Sequence, residues 1–261
     1  MGKISIANQK GGVGKTTTAV NLAASLAIAE RPTLLVDLDP QGNATSGVGI
    51  DPADGQRTIY HALLGFAAPE EVVRPTPFAH LDLLPANPDL IGAEVELLGF
   101  ERREYLLAEL LRPLRDRYQF IIIDCSPSLG LLTINSLTAA DSILIPLQSE
   151  YYAMEGLGQL LHTVERVRQA LNPGLEIEGI LLTMVDQRTT LAQQVEREVR
   201  SHFGSQVFQV VIPRNVRLSE SPSHGMPIAL YDVSSKGAQA YLRLADEFLR
   251  RQPAADLALA T

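Results

Sequence analysis

The chain has 261 residues, 46% of them apolar, with 22 Lys and Arg against 30 Asp and Glu and a formal net charge of −8. That is ordinary globular composition, and a chain this long buries enough surface to fold without disulfide or metal support. One cysteine, Cys125, excludes a disulfide framework and a single-chain zinc or iron–sulfur cage; no apolar run nears the ~20 residues of a membrane span, and the first residues are no signal peptide, so the expected compartment is the cytosol.

In chain order, a strand is expected at Ile4–Asn8, a helix at Lys15–Glu30, and strands at Thr33–Asp39 and Leu81–Ala86. A Leu-rich helical stretch follows over Glu94–Tyr118, with Pro113 as its break, since proline lacks the N–H that a helix needs. Then come strands at Phe120–Asp124 and Ser142–Leu147, a helix at Met154–Leu171 and a strand at Gly179–Val185. A helix at Thr190–Phe203, a strand at Val207–Pro213 and a helix at Ser234–Arg251 complete the set. The strands are continuously apolar rather than alternating, as in sheets covered on both faces. Strand–helix alternation predicts an α/β fold: a doubly wound, mostly parallel sheet flanked by helices. No linker or repeat interrupts it, so residues 1–251 read as one domain and 252–261 as a flexible C-terminal tail.

Between the first strand and first helix stands Lys10-Gly11-Gly12-Val13-Gly14-Lys15-Thr16-Thr17. Glycines let backbone N–H groups approach a phosphate, and the helix start adds positive potential. Lys15 is placed for β/γ-phosphates and the Thr16 hydroxyl for Mg²⁺. The usual P-loop pattern wants glycine where Gln9 stands, and here a second lysine, Lys10, takes part. Asp39 ends a strand ahead of Pro40, and a carboxylate at a strand's carboxyl end lies on the ligand side of such a sheet. Asp37 shares its side of the strand and could support the site, with no catalytic role expected. Asp124 closes the apolar run Phe120–Ile123, the Walker B pattern for holding Mg²⁺, expected here through water. Cys125 beside it reads as a small buried residue, not a nucleophile.

The motif K-G-G-V-G-K-T resembles the deviant Walker A loop of the ParA/MinD group of P-loop ATPases. Asp37–Thr45 (DLDPQGNAT), Ile121–Ser128 (IIIDCSPS) and Ile212–Glu220 (IPRNVRLSE) narrow the likeness to the chromosomal ParA proteins called Soj. It runs from Met1 to about Arg251, and departs at Ser126, where the family usually has proline. The resemblance implies an ATP-dependent sandwich homodimer with ATP and Mg²⁺ as cofactors. It implies that Lys10 crosses the interface to the partner's phosphates, that Asp39 orients the attacking water, and that Pro213 and Asn215 meet the adenine. It also implies slow ATP hydrolysis, stimulated by a ParB/Spo0J-type centromere-binding protein, and non-specific double-stranded DNA contacts at Arg188 and Arg217.

Net charge argues against a polyanion partner, but its distribution does not. Residues 1–180 hold 13 basic and 22 acidic groups, whereas 181–251 hold 9 and 7. Arg188 and Arg217 are loop arginines in that basic third, and a dimer would double their patch. No helix-turn-helix pattern is present, so no sequence-specific readout is expected. Two other functions share the fold: a MinD-like membrane-surface ATPase and a metabolic ATP-dependent ligase. Beyond Arg251 there is no Lys or Arg, and Pro253 interrupts the helix, which makes a poor membrane anchor. The expected reading is a cytoplasmic, nucleoid-associated partitioning ATPase with no membrane partner.

Overall fold

Neighbouring residues on each central strand face opposite cores. Leu34, Val36, Leu38, Ile121 and Ile123 enter one apolar cluster, and Leu35, Phe120 and Ile122 enter the other. This two-sided burial is why the strands read as unbroken apolar runs. The computed structural model describes residues 2–150 and 153–252. Its strands are β1 (Gly2–Ile6), β2 (Thr33–Leu38), β3 (Arg74–Pro75), β4 (Leu81–Leu84), β5 (Phe120–Cys125), β6 (Ser142–Gln148) and β7 (Glu176–Thr183). They form one sheet in the order β3-β4-β2-β5-β1-β6-β7, parallel except for the short edge pairing of β3 with β4.

The helices before β5 are α1 (Lys15–Ile28), α2 (Asn43–Gly47), α3 (Ile59–Leu63), α4 (Pro69–Val72), α5 (Leu90–Glu96) and α6 (Leu106–Leu111). Those after it are α7 (Leu131–Ala139), α8 (Ala153–Ala170), α9 (Thr190–Phe203), α10 (Val216–Glu220), α11 (Ile228–Tyr231) and α12 (Lys236–Arg251). Helix α1 carries the loop lysine at its first position and is buried along most of its length, from Thr18 to Ala27. Its alanines allow that close packing, with α12 as a neighbour.

Three expectations need correction. Val207–Pro213 is not a strand of the ladder: only Val207 and Pro213 bridge to β7 and its continuation. Between them the Glu247 carboxylate accepts the N–H groups of Gln209 (2.8 Å) and Val210 (2.9 Å), so a side chain replaces the neighbouring strand. The stretch Glu94–Tyr118 is not one helix. It divides into α5, α6 and short 3₁₀ turns, the last of them spanning Arg112–Arg117 with Pro113 in its first turn. A further break precedes α6, where Arg102 adopts φ 54°. Strand β7 starts three residues before Gly179 and ends at Thr183. The tail expected to be flexible lies, beyond Gln252, outside the described residues.

Candidate nucleotide site

The loop after β1 is built from constrained backbone. Gly12 (φ 74°) and Gly14 (φ 85°) occupy the left-handed region, which a side chain at either position would strain. Gly14 is also the residue from which α1 springs, its carbonyl accepting the Thr18 N–H at 2.9 Å. Asn8 fixes the entry: its Nδ2 donates to the Pro146 carbonyl (2.8 Å) and its Oδ1 accepts the Lys10 N–H (3.0 Å). The Thr183 hydroxyl donates to the Val13 carbonyl at 2.8 Å. The loop, with Gly11 and Val13 between these anchors, is therefore tied to both β6 and β7.

Lys15 is 6% exposed and donates from Nζ to the Lys10 carbonyl at 2.9 Å. Burial lowers its pKa, opposed by Asp124, Cys125 and Asp39. Lys10 is half-exposed and ion-paired with Glu150 of the same chain. Thr16 and Thr17 follow in the first turn of α1.

Asp124 lies on β5, in register with Ile6 of β1 on one side and Asp37 of β2 on the other. It is fully buried, and neither carboxylate oxygen has a hydrogen-bond partner. Burial and then the Asp37 carboxylate push its pKa well up; the nearby Thr16 hydroxyl and, more weakly, the Lys15 ammonium pull it down. An unsatisfied buried carboxylate beside a hydroxyl is an oxygen donor set that a hard divalent cation fits, while the Lys15 ammonium, which has no lone pair, is left to meet an anion. Cys125 is buried, with its Sγ donating to Ser136 Oγ at 3.0 Å, and burial pushes the thiol up to about 11, which leaves it inert.

Asp39 follows β2, is 7% exposed, and accepts the Gln41 N–H at 2.9 Å. Its own N–H donates to Asp37 Oδ1 at 3.1 Å. Asp37 is fully buried and accepts both the Thr45 N–H (2.8 Å) and the Thr45 hydroxyl (2.7 Å). Asp37 is thus an anchor for the turn that carries Asp39. At Ser126, the departure from the family pattern, the hydroxyl meets that of Ser128 at 3.2 Å, a local loop contact.

A cavity of about 560 Å³ opens beside the loop, lined among others by Gly14, Thr17, Thr183, Met184, Pro213 and Asn215. Its volume is in the range of small-molecule and cofactor pockets. Asn215 also caps α10, its Oδ1 accepting the Arg217 N–H at 3.0 Å, so its amide nitrogen is the end left for a ligand. Sequence reading missed Met184 and Tyr241. Met184 holds φ 51°, an unusual backbone for an unbranched apolar side chain, and Tyr241 reaches the pocket from α12. Neither carries a motif. Arg188 is exposed and paired with Asp186 (2.8 Å), and Arg217 is held by Glu220 (2.8 Å) and Asp232 (3.5 Å). Neither lies in the nucleotide-sized cavity.

A family model described as an AAA domain matches residues 1–177. The chain is 61% identical to the chromosome partitioning protein ParA of Myxococcus xanthus, over 95% of this chain and 88% of that one. It is 56% identical to the sporulation initiation inhibitor protein Soj of Bacillus subtilis, over 95% and 98%. The chain belongs to the ParA/Soj family of chromosome-partitioning ATPases.

Solved structures agree on the fold. A Mycobacterium smegmatis protein described as cobyrinic acid a,c-diamide synthase, with an ATP analogue and magnesium bound, superposes with a TM-score of 0.84 at 41% identity, over 96% of this chain and 95% of that one. The cell division ATPase MinD of Pyrococcus furiosus gives a TM-score of 0.80 at 27% identity, over 96% and 99%. The ParA/Soj chain is thus a P-loop ATPase of DNA partitioning, built on the parallel sheet that its alternating pattern announced. Among the described residues, no helix is long and apolar enough to cross a membrane.

Proposed function

We propose that residues 1–251 form one ATPase domain that switches DNA binding through an ATP-bound homodimer. One observation carries the reading: Lys15, Thr16, Asp39 and the unsatisfied Asp124 converge at the carboxyl edge of β1, β2 and β5. In this reading the backbone of Lys10 to Thr17 cradles the triphosphate and Lys15 binds its β/γ end. Thr16 directly, and Asp124 through water, would hold Mg²⁺, which when bound neutralises charge on the transferring phosphoryl group. Pro213 packs on the adenine and the Asn215 amide nitrogen donates to it. Asp39 positions the water that attacks the γ-phosphate in line.

Lys10 completes the site of the second subunit, supplying charge in trans. Because each site lacks that charge in the monomer, resting hydrolysis is slow. A ParB-type centromere-binding protein accelerates it and releases the dimer from DNA. Arg188 and Arg217 contact phosphates without reading bases, so the protein works in the cytoplasm on the nucleoid. The likeness to named ParA and Soj proteins supports the DNA side, and the magnesium-loaded M. smegmatis relative supports the nucleotide side. A gel-shift on duplex DNA of unrelated sequence, with ATP, ADP or no nucleotide, tests the switch. A shift confined to ATP is expected; equal shifts in all three lanes would refute it.

A further inference from the structure

Lys10 is a long side chain on a loop that offers it little support. Its ammonium is half-exposed and ion-paired with Glu150, and an exposed pair of this kind fixes a flexible side chain only weakly. Gly11 and Gly12 follow it and bring no side chain to pin the loop. A lysine that delivers charge to a second subunit is therefore aimed by its backbone. Two hydrogen bonds fix that backbone: the Lys10 carbonyl accepts Lys15 Nζ at 2.9 Å, and the Lys10 N–H donates to Asn8 Oδ1 at 3.0 Å.

Asn8 is 4% exposed and works in two directions. As the chain leaves β1, the Ala7 N–H donates to the Leu144 carbonyl of β6 at 3.3 Å. Two residues further along β6, the Pro146 carbonyl accepts Asn8 Nδ2 at 2.8 Å. Bonds in a parallel ladder are evenly spaced, so the Asn8 side chain takes the rung after Ala7 just where the backbone turns off into the loop. Pro146 is itself paired with Leu181 of β7, which places this rung inside the sheet. The other end of the amide closes an Asx turn on Lys10. Asparagine carries an acceptor and a donor in one rigid plane; aspartate has the same shape but no donor for the Pro146 carbonyl.

We propose that Asn8 is a positioning residue for the charge supplied in trans: it registers Lys10 to β6, so that the lysine of one subunit meets the phosphates of the other. The inference rests on the trans role of Lys10 given above and goes further by naming the residue that aims it. Loss of Asn8 then impairs the partner's site and spares its own. A misplacement of about 1 Å in such a group can cost about 10²-fold in rate.

The test is subunit complementation. Asn8→Ala and Asp39→Ala chains are mixed as equal amounts of monomer, ATP and magnesium are added, and phosphate release is followed. In a mixed dimer the Asn8→Ala subunit keeps its own Asp39 and receives Lys10 from a partner whose Asn8 is intact, so that site is complete. Asn8→Ala alone should lose about 10–100-fold in turnover. About half the dimers in the mixture are mixed and each holds one complete site, so the mixture should regain about a quarter of the parent's activity. Asn8→Asp should behave in the same way and covers the case in which Asn8→Ala folds poorly. Thermal midpoints report folding, and nucleotide titration of the monomers should match the parent. Lys10→Ala mixed with Asp39→Ala is the companion measurement and should complement to the same degree. If it does, and the Asn8 mixture gives no more than the sum of its components, Asn8 acts in its own site and the inference is wrong. Monomer nucleotide binding that falls as far as turnover would overturn it too. If neither mixture gains activity, the trans role of Lys10 falls and the inference with it.

Discussion

The hydroxyl of Thr45 is donor and acceptor at once. It donates to Asp37 Oδ2 at 2.7 Å and accepts the Ala86 N–H at 3.1 Å, both inside the protein. Thr45→Val keeps the shape and deletes both bonds. A hydrogen bond to a charged group contributes about 1.5–3 kcal/mol, and a buried N–H left without an acceptor costs about 1–3 kcal/mol. The expected loss is about 3–5 kcal/mol, a large part of a typical total of about 5–15 kcal/mol. At about 2–4 °C per kcal/mol for a domain of this size, the thermal midpoint should fall by about 6–20 °C. Thr45→Ser, which keeps the hydroxyl, should lose far less.

The penalty should also depend on pH. Burial pushes Asp37 up from 3.8 to about 6, against the pull of Thr45. A carboxyl that titrates higher in the folded state erodes stability as pH rises between those two values. Removing the hydroxyl raises the folded pKa further, so variant and parent diverge as pH climbs through about 6 and converge below it. Below that pH the bond is to a neutral carboxyl, and the gap should shrink by about 1 kcal/mol. Urea unfolding at pH 5 and pH 7.5 measures this. Equal midpoints for Thr45→Val and Thr45→Ser, or a gap that widens in acid, would refute the account of Asp37 as the anchor of the Asp39 turn.

Four other outcomes follow. Asp39→Ala should retain ATP binding, lose hydrolysis by about 10²-fold or more, and accumulate as an ATP-bound dimer; phosphate release and gel filtration check this. Lys10→Ala should bind nucleotide as a monomer but fail to dimerise or turn over, whereas Lys15→Ala should weaken nucleotide binding itself by about 10–100-fold, as titration with a non-hydrolysable analogue would show. Arg188→Ala and Arg217→Ala should each weaken ATP-dependent DNA binding uniformly across sequences, with dimerisation intact, which competition between unrelated duplexes measures. Gly225→Ala should cost about 2–4 kcal/mol in urea unfolding, because the residue has φ 60° and an added Cβ would lie 2.8 Å from Gly49 Cα.

The sequence alone determined the parallel sheet and the glycine-rich loop that opens the first helix. Both rest on short-range rules: continuous apolar strands require cover on two faces, and glycines ahead of a helix start supply the left-handed backbone seen at Gly12 and Gly14. Those rules need no knowledge of which strand lies beside which. The carboxylates Asp39 and Asp124 were legible too, as charges at the ends of apolar runs. Tertiary structure alone decided their relation. Asp124 is orphaned because β5 lies between β1 and β2 and buries it against Asp37, from a strand 87 positions earlier in sequence. The stretch Val207–Pro213 looks like a strand in isolation; it leaves the ladder because Glu247, from a distant helix, takes its N–H groups. Met184 and Tyr241 have no motif to announce them, since lining a cavity is a property of where the backbone goes. Arg188, Arg214, Lys236 and Arg243 are the same case: they are scattered along the sequence, and only the tertiary structure gathers them around one cavity.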